Sequence, residues 1–244
     1  MGQSFFVWKG IDCRAMGVRM RGPAPIIRPE ERVSHITIPG RSGDLTQLEG
    51  TDIYNSYIQT VTIMAHGANR MGKAIYDWLR GESYVTFSGE PDKRQKARII
   101  GAITLDRHSY NLDWWEGEVQ FYCQPLKEKL RNPTVEITTS GDTIRNEGDV
   151  ISRPQMIVTT SSTSFTVTVA GDGTPAENSI TVTGITSGTR YIVDSDTLEV
   201  TKRSNGALHT KDSSGAFPVL AVGTNTITGS GWSKIEIDKR ERFL

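Results

Sequence analysis

Short runs of valine, isoleucine, threonine and aromatic residues recur along almost the whole chain, separated by glycine, asparagine, aspartate and serine. The first group suits strands and the second suits turns, so this spacing predicts a mainly β protein. One segment differs, because its apolar residues recur at helical spacing. It predicts a single α-helix over residues 69–80, with Asn69 as the N-cap, Gly81 after its end and one face packed on a sheet. The apolar stripe consists of Met71, Ala74, Ile75, Trp78 and Leu79.

A change in composition predicts two domains. A strand over residues 118–124 alternates apolar with polar residues, so one of its faces is expected to be dry. Pro125 and the charged residues that follow it indicate a linker. Beyond the linker, threonine, serine, glycine and valine form successive short strands, which is typical of a β-sandwich or jelly roll. We therefore expect an N-terminal domain over residues 1–131 and a C-terminal domain over residues 132–244.

The charge balance argues against binding to nucleic acid or to an anionic membrane. The chain has 28 Lys plus Arg and 28 Asp plus Glu, so its formal net charge is zero. The most basic stretch, residues 92–98, lacks interleaved aromatic residues, which favours a solvated hairpin tip or a subunit contact over DNA binding. No apolar run approaches the ~20 residues that cross a bilayer, and no signal peptide is recognisable. These features favour a soluble chain made in the cytoplasm.

Sequence motifs of known enzymes and ligand sites are either absent from this chain or are followed by residues that do not support the corresponding function. Gly171–Ala176 matches a dinucleotide-binding glycine pattern but leads into another strand, so a hairpin tip is favoured. The four histidines have no metal-ligand spacing. Cys13 and Cys123 lie far apart in predicted strands, which favours buried free thiols over a disulfide or a catalytic nucleophile. We therefore expect a protein that is not an enzyme, with no cofactor and with no catalytic, cofactor-binding or metal-binding residues.

The segment from His35 to Leu45 predicts a strand that ends in an exposed loop. Proline at position 39 cannot donate to a strand ladder, so it ends the strand. Two glycines then allow a sharp turn, from which the Arg41 guanidinium and the Asp44 carboxylate project. On the residue pattern alone, an ordinary hairpin loop is the favoured interpretation. The loop consists of Pro39, Gly40, Arg41, Ser42, Gly43 and Asp44.

A pair of tryptophans, Trp114 and Trp115, is the second candidate surface. Asp113 and Glu116 flank the pair, so two aromatic rings beside two carboxylates could imitate a sugar-binding platform. The favoured interpretation is an aromatic contact between domains or subunits, because exposed tryptophans most often mark contact surfaces.

Three features together resemble the distal tail protein (Dit) family of siphophages, the bacteriophages with long, non-contractile tails. They are WKGID at Trp8–Asp12, PEERVSHITIPGRSGDL at Pro29–Leu45, and the order of the helix and strands after them. The likeness is best over the first half of the chain. It implies an N-terminal β-sandwich-like domain with one α-helix and an extended arm or loop around residues 39–49. A C-terminal galectin-like or jelly-roll β-sandwich would follow.

The resemblance implies a structural hub protein of the tail tip. In this family six copies form a ring around a central channel, which joins the tail tube to the tail hub or tail-associated lysin. We therefore expect a homohexamer in the virion, made in the host cytoplasm, with receptor-binding components as further partners. DNA would pass through the channel without specific binding, and no membrane insertion is expected. The loop over residues 39–44 and the tryptophan pair would supply subunit or partner contacts.

A carbohydrate-binding β-sandwich module without catalysis is the alternative function. A lectin-type site needs clustered histidine, asparagine, arginine, tryptophan and glutamate side chains on neighbouring strands. The C-terminal half instead has His209 and Trp232 far apart in sequence. A galectin-like fold therefore does not imply sugar binding here, and the alternative depends on the tryptophan pair.

Overall fold

The computed structural model describes residues 4–50, 52–66, 68–109 and 113–244. The chain separates into two compact units, of which the first contains the residues up to Leu130 together with Leu244 and the second is Arg131–Phe243. Strands dominate both units, which confirms the predicted mainly β fold. Within the described ranges, no helix is long and apolar enough to span a membrane.

The first unit is built on one large antiparallel sheet. Its described elements are β1 (Phe6–Trp8), β2 (Ile11–Asp12), β3 (Val18–Met20), β4 (Val33–Thr37), β5 (Asp44–Leu48), β6 (Tyr57–His66), α1 (Ala68–Trp78), β7 (Glu82–Phe87), β8 (Lys93–Ile100), β9 (Leu105–Ser109) and β10 (Trp114–Lys129). The sheet has the order β2-β1-β7-β8-β10-β6-β3, with β9 also pairing with β10. Strands β4 and β5 form a separate two-stranded ribbon.

Strand β10 carries the centre of the first core. Val119, Phe121 and Cys123 are fully buried on one face of this strand, as the alternating pattern predicts. The Phe121 ring makes edge-to-face contacts with Phe6 and Trp8, in each case with the ring centroids 5.5 Å apart. The other face of β10 is therefore free to present polar side chains outward.

Helix α1 covers this core through a reciprocal pair of tryptophans. The Trp78 ring stacks on Phe6 with the centroids 5.6 Å apart. Its indole Nε1 donates a hydrogen bond to the backbone oxygen of Trp8 at 3.2 Å, and the Trp8 indole donates to the backbone oxygen of Trp78 at 3.0 Å. Ile75, one turn earlier on the same face, is fully buried. The periodicity therefore predicted the burial of Ile75, Trp78 and Leu79 correctly, whereas Ala74 of the predicted stripe is exposed.

The second unit is a sandwich of two five-stranded antiparallel sheets. The strands of these two sheets are β11 (Val135–Ile137), β12 (Thr143–Asn146), β13 (Gln155–Thr160), β14 (Phe165–Gly171), β15 (Ser179–Val182), β16 (Arg190–Asp194), β17 (Glu199–Lys202), β18 (Ser213–Gly215), β19 (Gly223–Ser230) and β20 (Trp232–Asp238). A last short strand, β21 (Arg242–Phe243), belongs to neither of them. One sheet has the order β11-β20-β13-β16-β17 and the other β12-β19-β14-β15-β18. Buried residues of both sheets, such as Val158 and Val167, form one core. The Gly171–Ala176 segment follows β14 and leads to β15, as predicted for a hairpin tip.

A buried carboxylate links two strands of this sandwich. Asp194, at the end of β16, accepts hydrogen bonds at 2.8 Å from both terminal nitrogens of Arg240 and from the Gln155 amide. Burial alone would raise the pKa of Asp194, but these hydrogen bonds outweigh it and lower the pKa to about 2. The carboxylate therefore stabilises the fold in its charged form.

We expect the second unit to lose stability in acid as Asp194 becomes protonated. Its pKa is about 2 in the folded chain and ordinarily 3.8, so its contribution is complete above pH 4 and is lost as pH falls toward 2. The contribution corresponds to about 2 kcal/mol. Urea unfolding between pH 7 and pH 2 measures it, with Asp194→Asn as the control. The interpretation is wrong if this variant keeps the full acid dependence of the wild type.

Several local predictions need correction. The helix begins at Ala68, one residue before the predicted N-cap Asn69, and ends at Trp78. Cys13 lies in a 3-10 turn after β2 instead of a strand, although its thiol is buried and free of a disulfide as expected. Strand β10 continues through Pro125 to Lys129, where a linker was predicted. The side chains of Asn69 and Met71 lie outside the described residues.

Candidate functional site

Strands β4 and β5 and the loop between them, residues 33–48, form what we call the hairpin arm. Five residue pairs join the strands, from Val33 opposite Leu48 to Thr37 opposite Asp44. Among the described residues the two strands pair only with each other. At roughly 3.4 Å per residue, the paired part projects about 17 Å. An isolated two-stranded ribbon is only marginally stable in water, so a ribbon of this kind gains from being covered.

The loop predicted at residues 39–44 forms the tip of the hairpin arm. All six of its residues are exposed. Gly40 and Gly43 have φ values of +82° and +80°, a conformation that residues with a Cβ atom rarely adopt. The Arg41 amide donates to the Ile38 carbonyl at 3.1 Å, and the Thr37 hydroxyl donates to the Asp44 carboxylate at 2.8 Å. The Arg41 side chain itself has no ion-pair partner among the described residues.

One face of the hairpin arm is apolar near the tip. Ile36 and Leu45 lie directly opposite each other, so their side chains share a face, and Ile38 continues that face into the loop. These side chains are 44%, 42% and 38% exposed, respectively. Near the tip the opposite face carries the polar pairs His35–Thr46 and Thr37–Asp44, whereas Val33 and Leu48 lie on that face at the base of the arm. A ribbon with one exposed apolar face and a cation at its tip is suited to docking on another surface.

The tryptophan pair begins strand β10, and its two rings lie on opposite faces of the sheet. Trp115 is opposite buried Ala65 and packs against the first core, where its indole donates to Asp113 at 2.9 Å. Trp114 is opposite exposed His66 and makes an edge-to-face contact with it at 5.1 Å. Because consecutive strand residues alternate in direction, the rings do not form one platform for a sugar. Both rings are half-buried, and Trp114 remains a candidate for a contact surface.

The thiol of Cys123 is not suited to nucleophilic catalysis. Cys123 is fully buried, and burial raises the pKa of its thiol to about 12. In the part of the chain that the structure describes, no group of three or more His, Cys, Asp or Glu side chains could hold a metal ion.

The basic stretch at residues 92–98 forms most of strand β8, where ion pairs neutralise much of its charge. Lys93 pairs with Glu90 at 2.7 Å, and Lys96 pairs with Glu82 at 2.7 Å. Arg94 contacts a glutamate of the neighbouring strand β10 at 3.2 Å. These pairs leave little concentrated positive potential for a nucleic-acid backbone.

Away from the first core, strands β6 and β10 present what we call the outer face. Ile58 and Tyr122 lie opposite each other on this face and are 48% and 41% exposed. Arg98 of strand β8 is the other neighbour of Tyr122. The centre of a large sheet therefore exposes an apolar pair, although interior strands usually bury such residues.

Beside this apolar pair lies a cleft of about 660 Å³, which we call the acidic cleft. Asp106 and Glu118 line it, are exposed and have no ion-pair partner among the described residues. A third carboxylate in the lining, Glu116, is bound by Arg21. Arg107 is the cation of the lining, and its guanidinium lies 5.8 Å from the ring centre of Trp115. The cleft therefore contains two carboxylates without an ion-pair partner among the described residues.

Comparison with solved structures finds this fold in phage proteins. The crystal structure of SPP1 Dit (gp 19.1), described as a paradigm of the hub adsorption apparatus in phages that infect Gram-positive bacteria, is similar with a TM-score of 0.80. Sequence identity is 18%, and the likeness covers 100% of each chain. The chain has the fold of SPP1 Dit. The resemblance to the Dit family is thereby confirmed at the level of the fold.

A chain of the phage P2 baseplate, in its activated conformation with Ca, is a more distant likeness. Its TM-score is 0.51 and its sequence identity 9%, with 100% of this chain and 99% of that chain covered. No protein-family model matches the chain, and no curated protein matches it in sequence. At these identities the likeness to SPP1 Dit establishes the fold, so surface properties have to be argued from the residues of this chain.

The outer face and the acidic cleft were not predicted from the sequence. Asp106 and Glu118 come from different strands, and the carboxylates are 12 positions apart in a chain with many charged residues. One signal was available in Gly117, where an added Cβ would lie 2.1 Å from the Thr104 carbonyl oxygen. A glycine inside a strand marks such a close backbone approach.

Proposed function

We propose that this protein is a distal tail protein of a siphophage, a structural hub of the tail tip that acts by assembling and not by catalysis. Six copies form a ring that connects the tail tube to the tail hub or tail-associated lysin and to the receptor-binding components. The ring is part of the virion, is made in the host cytoplasm and surrounds a channel that DNA crosses without specific binding. The observation that carries the proposal is the likeness to SPP1 Dit over the full length of both chains.

Two features of the first unit support an assembly role. The hairpin arm exposes isoleucine and leucine side chains together with an unpaired arginine at its tip. Trp114 lies half-buried at the start of β10, where a partner could cover it. In the proposal, residues 39–44 and Trp114 contact neighbouring copies or other tail proteins, and Trp115 supports that surface from the core side. The second unit, a galectin-like sandwich, serves as a docking platform at the periphery.

The ring can be tested with the purified protein. Size-exclusion chromatography with light scattering is expected to show a species six times the mass of one chain, and negative-stain images are expected to show closed rings. Both measurements should be repeated with the tail tube and tail hub proteins present. A protein that stays monomeric at high concentration, alone and with these partners, would refute the proposal.

Reversing the charge at the arm tip should weaken assembly without affecting folding. Arg41 is exposed, so Arg41→Glu is expected to change the free energy of unfolding by no more than about 0.5 kcal/mol. It should nevertheless reduce the fraction of chains in rings, measured by light scattering at equal concentration. Arg153→Glu is the matched control, because Arg153 is also exposed and lies in the second unit. Equal assembly of both variants and the wild type would remove the loop from the interface.

A further inference from the structure

The hairpin arm and the outer face carry complementary surfaces within one chain. The arm exposes the apolar pair Ile36 and Leu45, and the outer face exposes the apolar pair Ile58 and Tyr122. The arm tip carries the unpaired cation of Arg41, whereas the acidic cleft holds two unpaired carboxylates. In a single copy both apolar pairs remain exposed, so the arm does not cover the outer face of its own chain.

The separation between the apolar pair and the charged group is also comparable on the outer face and on the hairpin arm. On the outer face, Glu118 is four residues along β10 from Tyr122, which corresponds to about 14 Å at the rise of a strand. On the arm, Arg41 follows Ile36 by five residues, through a turn in which its amide is bonded to Ile38. Two residues of extended chain from Ile36 to Ile38 span about 7 Å, and the turn and the Arg41 side chain extend beyond them. An arm whose apolar pair covers Ile58 and Tyr122 can therefore place its guanidinium at the cleft.

We propose that the hairpin arm of one copy docks on the outer face of the next copy, with the Arg41 guanidinium in the acidic cleft beside Asp106 and Glu118. This inference rests on the proposed assembly function and names the surface that receives the arm. The occupant is a second copy, because each chain carries one arm and one receiving face, both with an exposed apolar pair and with opposite charges beside it. Such a contact joins two different surfaces, so it is heterologous and forms a ring wherever the rotation between copies closes.

Docking also accounts for features that a lone chain leaves uncompensated. The ribbon gains a second layer that packs against its apolar face, which an isolated two-stranded hairpin needs for stability. The two free carboxylates gain a planar cation that can bind either of them with two parallel hydrogen bonds. The exposed Ile58 and Tyr122 are covered in the middle of the sheet, away from its edges.

Paired charge reversals test the docking. Arg41→Glu and Glu118→Arg should each weaken self-association by at least roughly tenfold, since each places like charges together. An equimolar mixture of the two variants should assemble nearly as well as the wild type. In an alternating ring every arm then meets a face of opposite charge: the glutamate tips meet the arginine introduced by Glu118→Arg, and the native arginine tips meet native glutamates. Glu177→Arg, at an exposed carboxylate of the second unit, is the control that should neither weaken assembly nor rescue Arg41→Glu.

The possible results separate this docking from the proposed function. Rings that form normally in both single variants would overturn the docking and leave the hub function standing. Two weakened variants that fail to rescue each other would also overturn the pairing of arm and cleft. A wild type that stays monomeric, alone and with the tail tube protein, would overturn the proposed function and the docking with it. Mutual rescue restricted to the matched mixture would establish the contact.

Discussion

Replacing Trp78 by alanine is expected to unfold the first unit at moderate temperature, with a loss of about 3–5 kcal/mol in the free energy of unfolding. The Trp78 side chain is 6% exposed and stacks on Phe6. Its removal leaves a cavity under α1 and also removes the indole hydrogen bond to the backbone oxygen of Trp8. A loss of this size is comparable to the whole stability of many domains, so ring assembly should fail as a consequence.

Urea unfolding followed by tryptophan fluorescence and circular dichroism measures this loss. Tyr76→Ala is the matched control, because Tyr76 lies on the same helix but is 41% exposed. The control is expected to lose less than about 1 kcal/mol. The second unit should retain its own transition in both variants, since its core contains neither residue. Similar losses for Trp78→Ala and Tyr76→Ala would show that the helix does not close the first core.

The sequence predicted those parts of the fold that depend on local periodicity. The buried side of α1 and the alternation along β10 follow from the spacing of apolar residues, and both agree with the structure. The predicted end of β10 was wrong because the interactions that extend this strand are made with residues distant in sequence. Pro125 is accommodated where the pairing with β8 shifts register, and Lys127 is 8% exposed because it forms an ion pair with Glu90 at 2.6 Å. A charged, proline-containing stretch looks like a linker when a partner 37 residues away is unknown.

The candidate site was predictable only where one segment supplies all of its residues. The loop at 39–44 contains its own glycines and proline, so its exposure follows from the sequence. The tryptophan pair shows the limit of this reasoning, because Trp114 and Trp115 are neighbours in sequence but face opposite sides of a sheet. The acidic cleft depends on how β9 and β10 pair, with Asp106 opposite Glu116. That register is a property of the folded sheet and has no signal in any single segment.

Removing one member of a buried ion pair should have an equally large effect on the second unit. Glu241 is fully buried and accepts hydrogen bonds from the Lys239 ammonium and from the Glu147 amide, the latter at 2.9 Å. Lys239 is 8% exposed and also donates to the Arg145 carbonyl at 3.0 Å. Glu241→Ala leaves this ammonium buried without its carboxylate. The expected loss is about 3–5 kcal/mol in the free energy of unfolding.

The double variant Lys239→Met, Glu241→Leu distinguishes an uncompensated charge from lost packing. It removes both charges and keeps similar volume, so it should be clearly more stable than Glu241→Ala despite carrying one more substitution. Urea unfolding at pH 7 compares the variants, and the transition of the first unit serves as the internal reference. If the double variant is as unstable as Glu241→Ala, the uncompensated charge of Lys239 is not the cause of the lost stability. The stabilising interaction of Glu241 would then be the hydrogen bond that it accepts from the Glu147 amide. Assembly of Glu241→Ala, compared with that of the double variant in which the fold is retained, then shows whether an intact second unit is needed for rings.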